Sequence, residues 1–326
     1  MRVVIDSQIP GLRAGLEALG VPMEITELKG ADIKTPDVKD ADALIVRTRT
    51  RCDARLLEGS RVKFVGTATI GTDHIDLDWC EANGIRVASA PGCNAPAVMQ
   101  YVACALRESG FDPRKDTLGV VGKGHIGSLV AELYRKAGTT VLVSDPPRKD
   151  AGMTDENYLT LEELLERSDA LTLHVPYTTA GSHPTHHLLR AGALPSRPRI
   201  VVNASRGAVV DPGLIAEEGE RRRLIIDTWP FEDSPELFTA DERAAMIAKA
   251  FIATPHIAGY SIEGKRRATE AMLAALQGKS AEPEPYAVPA LEKVLASFSP
   301  LELSSALKDS PGDFESLRAS HLRPEP

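Results

Sequence analysis

Arg206, Glu232 and His256 each follow an apolar run, and together they offer the parts of a proton-coupled reaction on a carboxylic acid. Arginine presents a planar fork that matches a carboxylate. Histidine carries a proton near neutral pH, and a neighbouring carboxylate orients its ring and favours the imidazolium. Arg206 comes out of IVVNAS, His256 out of FIATP, and Glu232 stands five residues after Asp227, which closes LIID. Taken singly, His256 also suits a structural role and Glu232 a solvated loop. Spacing does not bring them together; only a fold can.

A second set of residues can hold a dinucleotide. Gly122-Lys-Gly124-His125-Ile126-Gly127 is a G-x-G-x-x-G turn after the apolar run LGVV and at the start of a helical stretch. The first glycine permits the tight turn, the second admits a pyrophosphate to the backbone, and the third lets helix pack on strand. The phosphates would meet the free N–H groups of the helix N-terminus. Asp145 ends the next strand, where an acid accepts hydrogen bonds from a ribose and repels a 2′-phosphate. NAD is the expected cofactor, and Arg148 and Lys149 just beyond leave NADP as the alternative.

The candidate anion sites are basic clusters. Arg47, Arg49 and Arg51 alternate in RTRTR after ALIV and would share one face if extended. Lys265, Arg266 and Arg267 form a second cluster. His183, His186 and His187 sit in a Pro/Thr/Gly-containing stretch that reads as a solvated loop, and no metal is expected.

These residues need elements to carry them. Apolar runs read as strands at Val3–Asp6, Ala43–Thr48, Val62–Thr69, Ile85–Ala90, Leu118–Gly122, Thr140–Asp145, Ala170–Val175, Ile200–Ala204, Leu224–Thr228 and Ala250–Thr254. Continuous runs suit parallel strands buried on both faces, and their alternation with helical stretches suggests βαβ units. Asn94 is placed to cap a helix running to Ser109, and Thr160 with Glu163 spells a capping box. The chain has 326 residues, enough for about two domains. Because the glycine turn begins only at residue 122, a whole unit precedes the cofactor fold and is expected to face the substrate. AEPEPYAVP, residues 281–289, reads as a linker, and the remainder is too short to bury a core alone.

Composition excludes several classes. Lys plus Arg is 38 against 46 for Asp plus Glu, a net charge of −8, which disfavours a nucleic-acid partner. No apolar stretch is long enough to span a membrane, and the first twenty residues read as strand and helix. Four cysteines without a C-x-x-C pair suggest reduced thiols in a cytoplasmic protein.

GKGHIG, SDPP, NASRGAVVD, IDTW and TPHIAGY together resemble the D-isomer-specific 2-hydroxyacid dehydrogenases. KFVGTATIGTDHID, SAPGCNAPAV and HIAGYSIEGK are similar to a subgroup of that family acting on a phosphorylated sugar acid, and PGDFESLR resembles part of that subgroup's dimerisation region. The resemblance implies two doubly wound α/β Rossmann-like domains with parallel sheets. The NAD-binding domain, 95–256, would be inserted into a substrate domain made of 1–94 and 257–280, with 281–326 a linker and shortened dimerisation tail. It implies Arg206 on the substrate carboxylate, His256 as acid/base and Glu232 as its partner. Asp227 and Gly259 would lie near the cofactor, and Tyr260, Thr48, Thr69 and Arg47 near the substrate. The implied activity is oxidation of a phosphorylated 2-hydroxy acid by NAD in a homodimer. A 3-phosphoglycerate dehydrogenase, a hydroxypyruvate or glyoxylate reductase and a non-catalytic NAD sensor are the alternatives.

Overall fold

The computed structural model describes residues 1–326 with the exception of Asp233. It divides into two compact units, Met1–Asn94 with Ser261–Tyr286, and Ala95–Tyr260 with Ala287–Pro326.

The first unit is built on five parallel strands, β1 (Arg2–Asp6), β2 (Glu24–Leu28), β3 (Ala43–Val46), β4 (Phe64–Thr67) and β5 (Arg86–Ala88), in the order β2-β1-β3-β4-β5. The central runs ALIV and FVGT are buried throughout, as strands covered on both faces must be. On one face Val3, Ile5, Ile45 and Phe64 pack with Leu12 and Leu16 of the helix Leu12–Ala18 and with Met272 and Ala275 of the helix Ile262–Leu276. On the other, Val4, Leu44 and Val65 meet Leu57, Ile75 and Cys80. Burying each large aliphatic side chain contributes about 1.5–3 kcal/mol. β2 was absent from the expected strands. Its EITEL mixes two acids and a threonine with two apolar residues and lies at the sheet edge, where partial exposure tolerates them.

The second unit carries six parallel strands, β6 (Thr117–Val121), β7 (Thr140–Ser144), β8 (Ala170–Leu173), β9 (Ile200–Asn203), β10 (Arg223–Ile226) and β11 (Ile252–Ala253), in the order β11-β10-β9-β8-β6-β7. The order reverses between β6 and β8, the switch point beside which doubly wound sheets bind ligands. Leu171, Leu173, Leu224 and Ile226 pack with Leu164, Leu214, Ile215 and Trp229. Thr160 closes its capping box as expected: Glu163 N–H donates to Oγ1 at 3.2 Å, and Thr160 N–H to Glu163 Oε2 at 2.8 Å.

Three readings differ from expectation. Asn94 does not cap the helix Ala95–Glu108; its Oδ1 is buried and accepts no hydrogen bond. Residues 287–326 are folded onto the second unit: Leu291 and Val294 are buried, Leu307 joins the core beneath the sheet, and Ala253 N–H donates to Ser304 Oγ at 2.9 Å. A segment too short to bury a core alone borrows one. Residues 257–260 group with the second unit, because Asp227 holds the N–H groups of Ile257 and Ala258. The four cysteines are buried and form no disulfide, and burial pushes the Cys52 thiol up to about 12.

Candidate functional site

The glycine turn leaves β6 at the switch point. Gly122 has φ +87°, and a Cβ there would lie 2.4 Å from the carbonyl oxygen of His174 at the end of β8. A Cβ on Gly127 would lie 1.9 Å from the Gly122 oxygen, so this glycine lets the helix His125–Lys136 close on the turn. A Cβ on Gly124 would meet nothing within 4 Å. Two glycines are therefore spent on packing, and the middle one leaves uncovered backbone next to a helix N-terminus. This is the shape a pyrophosphate needs.

Asp145 completes the turn from β7. Its Oδ2 accepts Lys123 N–H at 2.7 Å and its Oδ1 accepts Arg148 N–H at 3.1 Å, which fixes the carboxylate beside the glycines. The Arg148 guanidinium is engaged elsewhere, donating to the Lys123 carbonyl at 3.0 Å and to the Tyr158 hydroxyl at 3.1 Å. That engagement argues against its serving a 2′-phosphate. His174 lies close by but carries no useful proton, since burial lowers its pKa to about 3.

The catalytic candidates gather along the carboxyl ends of β9, β10 and β11. After β9, the Asn203 side-chain amide donates to the Arg206 carbonyl at 2.9 Å, and its Oδ1 accepts Ser205 N–H and Oγ–H at 3.2 and 2.9 Å. Arg206 Nη1 donates to the Ser205 carbonyl at 2.9 Å. A Cβ on Gly207 would lie 2.0 Å from the Trp229 oxygen, so the arginine loop packs on the Trp229 segment. Trp229 N–H in turn donates to Glu232 Oε1 at 2.9 Å, and its indole N–H donates to the Thr254 carbonyl at 2.9 Å. One buried tryptophan thus ties the arginine, glutamate and histidine segments together.

Glu232 Oε2 lies 2.8 Å from His256 Nδ1. An ionised carboxylate only accepts, so Nδ1 carries the hydrogen and Nε2 is left as the base. Desolvation disfavours the charged ring, yet the Glu232 carboxylate and its hydrogen bond, with Asp227 behind, hold the His256 pKa above the ordinary histidine value. His256 sits at φ +56°, a left-handed conformation uncommon outside glycine, though histidine adopts it more often than most residues. Asp227 holds it there: Oδ1 accepts Ile257 N–H at 2.8 Å and the Thr254 hydroxyl at 2.7 Å, while Oδ2 accepts Ala258 N–H at 2.9 Å. Asp227 is fully buried, and burial raises its pKa against those hydrogen bonds and the histidine charge. Gly259 and Tyr260 complete this turn, with Tyr260 N–H donating to the Ile257 carbonyl at 2.9 Å.

In the first unit, Arg47, Thr48 and Thr69 follow β3 and β4. RTRTR is not extended: Thr50 N–H donates back to the Arg47 carbonyl at 3.2 Å, so the three arginines do not form one row. Arg47 is instead tied to buried Asp6 (3.1 Å) and to Gln8 (2.6 Å). Lys265 is half-buried, and its pKa is lowered by burial and then by the Arg47 charge. Arg266 pairs with Glu270 at 2.6 Å, and Arg267 donates to the Cys93 carbonyl at 2.8 Å. Thr69 Oγ1 bonds Thr67 Oγ1 at 2.7 Å and the Gly71 carbonyl at 3.1 Å. His183 pairs with Asp150 at 2.7 Å. Among the described residues no group of three or more His, Cys, Asp or Glu is placed to hold a metal ion.

Sequence reasoning missed Arg318. Its Nη1 lies 3.2 Å from Glu232 Oε2. No spacing rule reaches across 86 residues, and only the tail's likeness to the subgroup hinted at a role.

Residues 100–258 match the model for the D-isomer specific 2-hydroxyacid dehydrogenase NAD-binding domain. The chain is 43% identical to the erythronate-4-phosphate dehydrogenase of Chromohalobacter salexigens over 83% of its own length and 70% of that protein. It is 37% identical to the enzyme of that name from Bacteroides fragilis over 98% of its length and 96% of the relative. Among solved structures it is similar to NAD-bound 3-phosphoglycerate dehydrogenase from Entamoeba histolytica, with a TM-score of 0.64 and 26% identity over 85% of this chain and 94% of that one.

Proposed function

The chain belongs to the D-isomer specific 2-hydroxyacid dehydrogenase family and is an NAD-dependent oxidoreductase, and we propose that it oxidises 4-phospho-D-erythronate at C2 to the 2-oxo acid. The observation that carries the chemistry is the Glu232–His256 pair, fixed at 2.8 Å through Nδ1 with Nε2 left over. The substrate follows from the relatives, which are named for erythronate 4-phosphate.

NAD, when bound, supplies the hydride acceptor. Gly122, Gly124, His125, Ile126 and Gly127 would hold its pyrophosphate, and Asp145 its ribose. Asp227 would act near the cofactor by shaping the turn that carries Gly259. Arg206 takes the substrate carboxylate in its fork and orients C2. Orientation of this kind removes about 7–11 kcal/mol of barrier in favourable cases. His256 Nε2 accepts the C2 hydroxyl proton as the carbonyl forms, and Glu232 stabilises the resulting imidazolium. In the reverse direction the same imidazolium returns the proton.

Tyr260, Thr48, Thr69 and Arg47 are the proposed substrate contacts. Arg47 and Lys265 are near enough to feel each other's charge, and a phosphate would relieve that repulsion. We place the phosphate there. The tail's likeness to a dimerising region supports a homodimer, and four buried thiols outside any disulfide suit the reducing cytoplasm. No helix among the described residues is long and apolar enough to cross a membrane.

A panel of 4-phospho-D-erythronate, 3-phosphoglycerate and glyoxylate, each with NAD or NADH as its direction requires, tests the assignment. The highest kcat/KM is expected with 4-phospho-D-erythronate. A higher value with either of the others would replace it, and NAD binding without turnover on any acid would favour a sensor.

A further inference from the structure

Residues 314–323 lie beyond every residue used in the chemistry, yet they return to the site twice. The helix Phe314–Ser320 brings Arg318 to Glu232 Oε2, the same oxygen that faces His256. Arg318 Nη2 is itself fixed by Glu315, at 2.7 and 2.6 Å from its two oxygens. Arg318 and Glu232 are only 20% and 17% exposed, so this pair is screened far less than a surface one.

Three residues after that helix, Arg323 is 5% exposed. Its Nη1 donates to the carbonyls of Ile257 (2.8 Å) and Tyr260 (3.3 Å). Its Nη2 donates to those of Ala258 (2.6 Å) and Ala97 (2.9 Å), and its Nε to Gln100 Oε1 (2.8 Å). A guanidinium buried among neutral acceptors is costly, and burial lowers its pKa to about 10. What that cost secures is the segment directly after His256. Asp227 grips its N–H groups, and Arg323 grips its carbonyls.

Resting on the reading of Glu232 and His256 above, we propose that residues 314–323 are an active-site strap acting within one chain. Arg323 is its anchor, and Arg318 is a positioning residue that fixes the Glu232 carboxylate on the histidine. The charged groups facing His256 are Glu232, Asp227 and Arg318. Arg318 competes for Oε2 and sets its positive charge against the imidazolium. Without it, Glu232 Oε2 serves the ring alone, the imidazolium is favoured further, and the carboxylate keeps only the Trp229 N–H as a tether besides the ring.

The test compares R318M and R318K with H256N in the full-length protein, by the pH dependence of kcat/KM for oxidation and by NAD affinity. R318M is expected to lose about 10–100-fold in kcat through misplacement. Its NAD affinity should stay unchanged, and its acidic limb should move to higher pH. R318K should restore the limb and most of kcat. An R318M enzyme with unaltered kcat and profile, or one weakened with an unmoved limb, would overturn the strap, since the second outcome is what general destabilisation gives. Turnover retained by H256N would instead overturn the underlying assignment of the histidine.

Discussion

At the scale of single residues, the proposed chemistry rests on His256 as proton carrier, its Nδ1 held by Glu232 and its Nε2 left for the substrate. Replacing His256 with Asn is expected to cost about 10²–10⁴-fold in turnover, with NAD affinity intact by titration. Glu232→Gln removes the charge that raises the histidine pKa, so the acidic limb of kcat/KM should move to lower pH while kcat falls. The pair also bears on stability. Because the folded pKa of His256 is raised, its contribution is complete below the unfolded value of about 6.5 and is lost as pH rises through the folded value. Denaturant midpoints of wild type and Glu232→Gln should therefore differ more at pH 6 than at pH 9. The types of Arg206, Glu232 and His256 pointed to this chemistry from sequence. Their union came only with the family resemblance, because residue spacing does not show that Trp229 of IDTW touches all three segments.

At the scale of elements, the three glycines of the turn do different work, and their alanine variants should separate. Gly127→Ala collides with a carbonyl only 1.9 Å away, so Tm and NAD affinity should both fall; overpacking of this kind typically costs about 1–3 kcal/mol. Gly124→Ala enters open space at φ −77°, so Tm should hold while NAD binding weakens. Equal loss of Tm in both would contradict the division of labour. Asp145→Ala should relax the preference for NAD over NADP, and an unchanged ratio would remove its ribose contact. Elements whose signal is local were legible: ALIV, IVVN and the Thr160 capping box appear where the residues place them. Elements decided by neighbours were not. The edge strand β2 hides behind its glutamates, and RTRTR turns because Thr50 bonds back to Arg47 and its hydroxyl donates to the Gly30 carbonyl at 2.8 Å.

At the scale of the whole molecule, the tail is the part least readable from its own residues. Arg323 stands in the polar HLRPEP, where nothing marks it as buried, and Leu307 gives no sign that it completes the core of the second sheet. Leu307→Ala should cost about 2–5 kcal/mol in urea unfolding, which a merely appended tail would not show. Net acidity has a related consequence at this scale. With a charge of −8, a polyanionic substrate must find a local cluster of cations, and Arg47 with Lys265 is the candidate. Lys265→Met should raise KM for the phosphorylated acid and leave that for NAD unchanged. The claim that binds these scales together is transfer of the C2 hydrogen to the cofactor. It is tested most directly by turning over 4-phospho-D-erythronate deuterated at C2 and weighing the reduced nicotinamide product. One deuterium per molecule of reduced cofactor is the expected result, and reduced cofactor without the label, or none formed, would contradict it.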